Sequence, residues 1–153
     1  MRAHARVRSA SGAAPPDTDI RRGDATLQAV AVLGATAGVF LVVDIAVITI
    51  TNSHIEPLDS ILFFIGLGAM ILTLVALAVH LSTGHEGPAR VAYGVLAFLA
   101  VLVVLGTIAA AADAAGSALF SPANIGLHGE WSFFSSAICL LLIAGWAARK
   151  ASD

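Results

Sequence analysis

Along the chain, apolar residues gather in four long runs separated by short polar stretches, with neither the polar face of a soluble amphipathic helix nor the alternation of a half-buried strand. The runs are Leu27 to Ile50, Ser60 to Leu81, Val91 to Ala112 and Trp131 to Ala148. Each is close to the about 20 residues that carry a helix across a hydrocarbon core of about 30 Å, the last being the shortest. Only a helix satisfies its own backbone in lipid, so the β-branched stretch around Val42, Val43, Ile45, Val47, Ile48 and Thr49 is predicted helical despite its strand propensity. The expected fold is all-α: an integral membrane bundle of four transmembrane helices.

The polar stretches between the runs are unequal in charge, and that inequality predicts orientation. Arg2, Arg6, Arg8, Arg21 and Arg22 precede the first span, Arg90 lies between the second and third, and Arg149 and Lys150 follow the fourth, which accounts for all eight cations. Short loops rich in Lys and Arg stay in the cytoplasm. Both termini are therefore expected there, with Thr51 to Asp59 and Asp113 to Glu130 outside. Residues 1–24, with Ser9, Ser11, Gly12, Pro15 and Pro16 among scattered charges, read as a disordered basic cytoplasmic tail, and 25–150 as the transmembrane domain. A signal peptide fits poorly, because the first apolar run is about twice the usual length and no small-x-small cleavage site followed by a polar mature domain appears.

Composition agrees with this pattern. Of 153 residues 58% are hydrophobic and 12% charged, where soluble chains carry roughly a quarter charged residues. A net charge of −2 without a general basic surface excludes nucleic-acid binding. Cys139 has no partner for a disulfide or a zinc site, and no GxGxxG, GxxxxGK[ST], HExxH or GxSxG occurs, so no enzyme built on those signatures is expected. The alanine-, glycine- and arginine-rich usage fits a multi-pass protein of a bacterial plasma membrane.

Within the spans, small residues predict close helix contacts: Gly34 and Gly38 form a GxxxG, with Gly66, Gly68 and Ala69 in span two and Gly106, Ala109 and Ala110 in span three. The GxxxG reads either as a homodimer seam or as a contact inside one bundle. Asp44 is the most informative position, because an ionisable group inside a span is costly and faces the bundle interior or water. Counted at about 1.5 Å per residue, Asp44, Thr107, Ser135 and Ser136 fall at similar depth toward the outer face. They form either a protonatable, ion-binding layer or a hydrogen-bonded register lock.

A second cluster lies in the outer loops. His54-Ile55-Glu56 and His128-Gly129-Glu130 each place an H-x-E before an apolar helix that opens with a Phe pair, Phe63-Phe64 and Phe133-Phe134, a faint sign of a duplicated hairpin. His54, Glu56, His128 and Glu130 together would suit a divalent metal, with Asp59 and Asp113 adding oxygen, or two histidines could hold a haem. The plainer reading is a set of solvated helix N-termini whose carboxylates complement the dipole, with Trp131 in an interfacial belt. On the cytoplasmic side Gly84 and Pro88 end one helix and open the next, leaving His80 and His85 as interfacial polar residues. The apolar residues of the long outer loop, among them Leu119, Phe120, Ile125 and Leu127, would suit contact with a partner.

The function these features leave is non-catalytic: a small accessory or scaffold subunit of a larger membrane complex. Two alternatives use specific residues: a proton- or cation-coupled transporter built on Asp44, and a metal- or haem-binding protein built on the outer His and Glu side chains.

Overall fold

The computed structural model describes residues 17–120, 122–124, 128 and 130–153. It is all-helical in its regular structure, with four long helices in the order α1 (Asp17–Thr51), α2 (Leu58–Leu81), α3 (Gly87–Leu119) and α4 (Trp131–Lys150). All four are long and apolar enough to cross a membrane. Helices α2 and α4 start and stop within a few residues of the expected spans. Helix α1 starts at Asp17, so its first turns occupy 17–24, which the sequence assigns to the tail, while residues 1–16 lie outside the described part. Helix α3 runs on to Leu119, taking up the first part of the expected outer loop. Hydropathy marks where a helix enters lipid, not where its hydrogen-bond ladder ends. At about 1.5 Å per residue the 35 residues of α1 and 33 of α3 are each longer than a bilayer core is thick.

Helix α1 packs along α2 and α4, and α3 closes the ring against the same two helices, so α1 and α3 stand diagonally across the bundle. The α1–α2 and α3–α4 connections share one end of the bundle, the loop end. The α2–α3 turn and the C-terminus share the other, the terminal end, where the Thr26 hydroxyl lies 3.2 Å from His80 Nδ1 and the His80 ring stands edge-on to Trp146. The turn there is built as expected: Gly84 at φ 94° follows α2, and Pro88 sits in the first turn of α3. The His85 ring stacks on Tyr93 at 3.8 Å.

The core is a seam of small and branched residues. Leu41, Leu140, Val30 and Thr73 are its largest fully buried side chains, and Ala37, Ala69 and Ala137 fill the gaps beside Leu41 and Leu140. The buried Thr73 hydroxyl donates to the Ala69 carbonyl of its own helix, the cheapest way to satisfy it in an apolar interior. The two glycines of the GxxxG face α4: a Cβ on Gly34 would press on Ala144 and the Leu140 carbonyl, and one on Gly38 on Leu141 and the Ala137 carbonyl. Of the two readings of that motif, the contact inside one bundle is the one observed. Gly66 likewise meets Leu41 of α1. Helix α3 is the exception, with Leu105 and Gly116 as its only buried residues. Its outward face carries Val91, Val95, Leu96, Leu99, Val103 and Val104, all exposed.

Candidate functional site

The loop end carries most of the polar chemistry inside the apolar bundle. Helix α1 ends at Thr51, and Asn52, at φ 49°, takes the left-handed conformation that lets the chain reverse. Its side-chain amide donates to the Ala123 carbonyl at 2.9 Å, tying the two loop-end connections together. The chain then enters α2 through a carboxylate: the Ile55 amide donates to Asp59 Oδ2 at 2.7 Å, and His54 Nδ1 lies 3.4 Å from the same oxygen. One turn of helix thus holds Asp59 by the backbone amide that precedes it. Glu56 is fixed by Ser60, whose hydroxyl lies 2.6 and 2.8 Å from the two carboxylate oxygens.

Between α1, α2 and the start of α4 these residues leave a cleft of about 270 Å3. Asp44, Asp59, Glu56 and Glu130 bring four carboxyl groups to it, His54 brings one imidazole, and Phe63, Phe64 and Phe133 supply apolar wall. The rings of Phe63 and Phe133 meet edge to face across α2 and α4 at 5.2 Å, and Phe63 and Phe64 at 5.6 Å. Asp44 and Asp59 are each only 5% exposed. In both, Oδ1 is buried and has no hydrogen-bond partner among the described residues. Leaving such an oxygen unpaired costs about 1–3 kcal/mol, and the two lie on the same cleft. His54, by contrast, is half exposed, its side chain at 52%.

Glu130, at the cap position of α4, has its pKa pushed above the ordinary carboxylate range, first by burial and then by the neighbouring charges of Asp113 and Asp59, with His54 opposing them. It also lines a second cavity: an apolar groove of about 310 Å3 between α1 and α4, walled by Val42, Ile45, Ala46, Trp131 and Phe134. Trp131 is held by packing, its ring stacked on Phe120 and lying so close to Gly116 that a Cβ there would fall inside the indole.

Several expected site residues stand elsewhere. Thr107 is exposed on α3 and donates to the Val103 carbonyl of its own helix. It is placed on the helix diagonal to α1, so depth along the membrane, which the sequence supplies, does not make it a neighbour of Asp44. Ser135 and Ser136 both donate to the Ser132 carbonyl within α4. Each of these three hydroxyls donates within its own helix, and none is bonded to Asp44 among the described residues. The four-residue metal set is also divided: His54, Glu56 and Glu130 line the cleft, whereas His128 Nδ1 donates to the Phe120 carbonyl at 3.0 Å. Among the described residues no three His, Cys, Asp or Glu side chains are placed as metal ligands. His54 meets Asp59 and His128 meets the Phe120 carbonyl, each through Nδ1.

Asp59 is the residue that sequence reasoning undervalued. It stands in the first turn of a helix, where a carboxylate is commonplace. Its carboxylate is held by the Ile55 amide and His54 of the preceding connection and lines the cleft with Asp44, Glu130 and Phe133, neighbours that no periodicity reveals. The usable signal was the pairing of Asp59 with the Phe pair one turn later, since an acid beside large apolar residues at a helix start is less easily solvated. No protein-family model, curated protein or solved structure matches this chain.

Proposed function

We propose that this chain is a multi-pass protein of a bacterial plasma membrane whose loop-end cleft takes up a proton or cation at Asp44, as part of a small proton- or cation-coupled transporter. The apolar girdle around the bundle supports insertion: Ile61, Phe64, Leu72, Val75 and Leu142 on α2 and α4 are all exposed, like the outer face of α3, a surface suited to lipid and costly in water. The eight cations support the orientation, since Arg2, Arg6 and Arg8 precede α1, Arg21 and Arg22 lie in its first turns, Arg90 in the first turn of α3, and Arg149 and Lys150 in the last turn of α4, a one-sided distribution that favours cytoplasmic termini and an outward-facing cleft. The observation that carries the reading is Asp44 itself, a carboxyl that lines the cleft, is 5% exposed and has a buried oxygen without a hydrogen-bond partner among the described residues. A register lock would pair that oxygen. A binding site leaves it for its ligand.

The test is proton flux in proteoliposomes loaded with a pH-sensitive dye. A pulse of external cation, given in turn as sodium, potassium, calcium and an organic ammonium, is expected to change internal pH with the wild-type protein and not with Asp44→Asn. Flux that is absent with every cation, or equal in the two proteins, overturns the reading.

A second reading, the accessory subunit of a larger complex, draws on α3. Helix α3 is held at only two buried positions and is flanked on both sides by apolar grooves, which suits a helix that completes its packing against another protein. Extraction in mild detergent is then expected to bring out a constant larger partner, and recovery of the chain alone counts against it. Neither reading calls for catalysis.

A further inference from the structure

We infer that the loop-end cleft receives the ammonium head of a lipophilic amine, and that the apolar part of that molecule lies in the adjoining α1–α4 groove. The inference rests on the cation-binding reading and names the class of cation. Three features of the molecule carry it. The first is an excess of acid: four carboxyl groups line the cleft beside one imidazole, and two of them, Asp44 and Asp59, are more than nine-tenths buried, each with a buried oxygen that has no hydrogen-bond partner among the described residues. A cation is the ligand that relieves both.

The second is the wall. A bare metal ion needs a tight shell of oxygen or nitrogen ligands, and the described residues offer no such group of three. Part of the cleft, about 270 Å3 in volume, is walled by Phe63, Phe64 and Phe133, and a compact ion held by the carboxylates would leave that apolar wall uncovered. Phenyl rings do attract an organic ammonium, whose charge is spread and weakly hydrated.

The third is continuity. Glu130 lines both the cleft and the α1–α4 groove, Phe133 faces the first, and its neighbour Phe134 faces the second. A molecule with its charged end beside Asp44 therefore finds, past a single carboxyl group, about 310 Å3 of surface made by Val42, Ile45, Trp131 and Phe134. The groove lies on the flank of the bundle, so such a ligand would enter sideways from the membrane, where lipophilic amines concentrate.

The test is equilibrium binding of radiolabelled hexyltrimethylammonium to the full chain in phosphatidylglycerol nanodiscs, with empty discs subtracted. Saturable binding is expected, at least roughly tenfold tighter than that of tetramethylammonium, which has the head and lacks the methylenes that burial would reward. Asp44→Asn is expected to abolish binding of both ligands. Ala46→Phe, which fills the groove from an exposed position, is expected to weaken the hexyl compound and leave tetramethylammonium unchanged, so the proposal stands or falls even if the aspartate variant fails to fold. Hexanol competing as well as the ammonium overturns the head site. Equal affinity for the two ammonium ions overturns the groove. Loss of binding when phosphatidylethanolamine replaces phosphatidylglycerol assigns the cleft to a lipid head group and overturns the free amine. Proton flux driven by sodium or calcium with no ammonium binding overturns this inference and leaves the transport reading intact, whereas ammonium binding without any flux overturns transport and leaves the site.

Discussion

A buried acid with an unpaired oxygen is a liability that a membrane helix bundle keeps only at some cost, and Asp44 makes that cost measurable. If its carboxyl serves a ligand, Asp44→Leu removes an unsatisfied group and fills its place with methyls. The variant is expected to gain on the order of 1 kcal/mol in detergent unfolding while losing the proton flux. A loss of about 2 kcal/mol or more would show instead that the acid holds the bundle together. Glu130 lends the same cleft a pH dependence whose sign follows from burial. Its pKa in the folded chain lies above the ordinary 4.5, so between those two values the folded state holds more proton than the unfolded state. Stability contributed at this position is greatest below the ordinary value and falls as pH rises through the window. Thermal unfolding followed from pH 4 upward is expected to show a shallower decline for Glu130→Gln than for wild type, and parallel curves would refute it. Of these acids, Asp44 was legible in the sequence because a charge inside an apolar run is conspicuous there. Asp59 was not, because its neighbours on the cleft, Asp44 of α1 and Phe133 of α4, come from helices distant in the sequence.

At the scale of the helix, existence was easier to read than extent or neighbourhood. Four apolar runs became four helices, but α1 and α3 overran their predicted ends, because a backbone ladder continues wherever no residue breaks it. Counting along each run assigns a depth but no neighbour: Thr107, counted to the same depth as Asp44, stands on α3, which packs on α2 and α4 and lies across the bundle from α1. The GxxxG shows how a motif that is open between two partners becomes decided by contacts. Gly38 lies against Leu141 and the Ala137 carbonyl, so Gly38→Ile must push α1 from α4 and is expected to cost about 1–3 kcal/mol by overpacking. At Gly68 and Gly145 an added methyl group would have nothing within 4 Å of it, and Ala at either is expected to be neutral or slightly stabilising in a helix interior. Unfolding of the three variants in one detergent checks the contrast, and a costly Gly68→Ala or a harmless Gly38→Ile would contradict the packing described.

At the scale of the whole molecule, everything proposed for the cleft depends on which side of the membrane it faces. The distribution of cations is decisive only if the bundle inserts as one unit, and the geometry gives reason to expect that: α1 is packed on both α2 and α4, so none of these three can invert without unmaking the core around Leu41 and Leu140. The chain is convenient for the measurement, since Cys139 is its single cysteine and Cys139→Ser leaves a background without thiols. Single cysteines are then placed at Ser53, in the α1–α2 connection, and at Thr83 and Ser152, both at the terminal end and all three exposed. A membrane-impermeant maleimide added to intact cells is expected to label Ser53→Cys and to spare the other two, and permeabilised cells are expected to label all three. The reverse pattern would put the acidic cleft in the cytoplasm, where a cation arriving from outside could not reach Asp44 first, and uptake would have to become export. Labelling of Thr83→Cys and Ser152→Cys on opposite sides would be graver, because it would break the antiparallel ring itself.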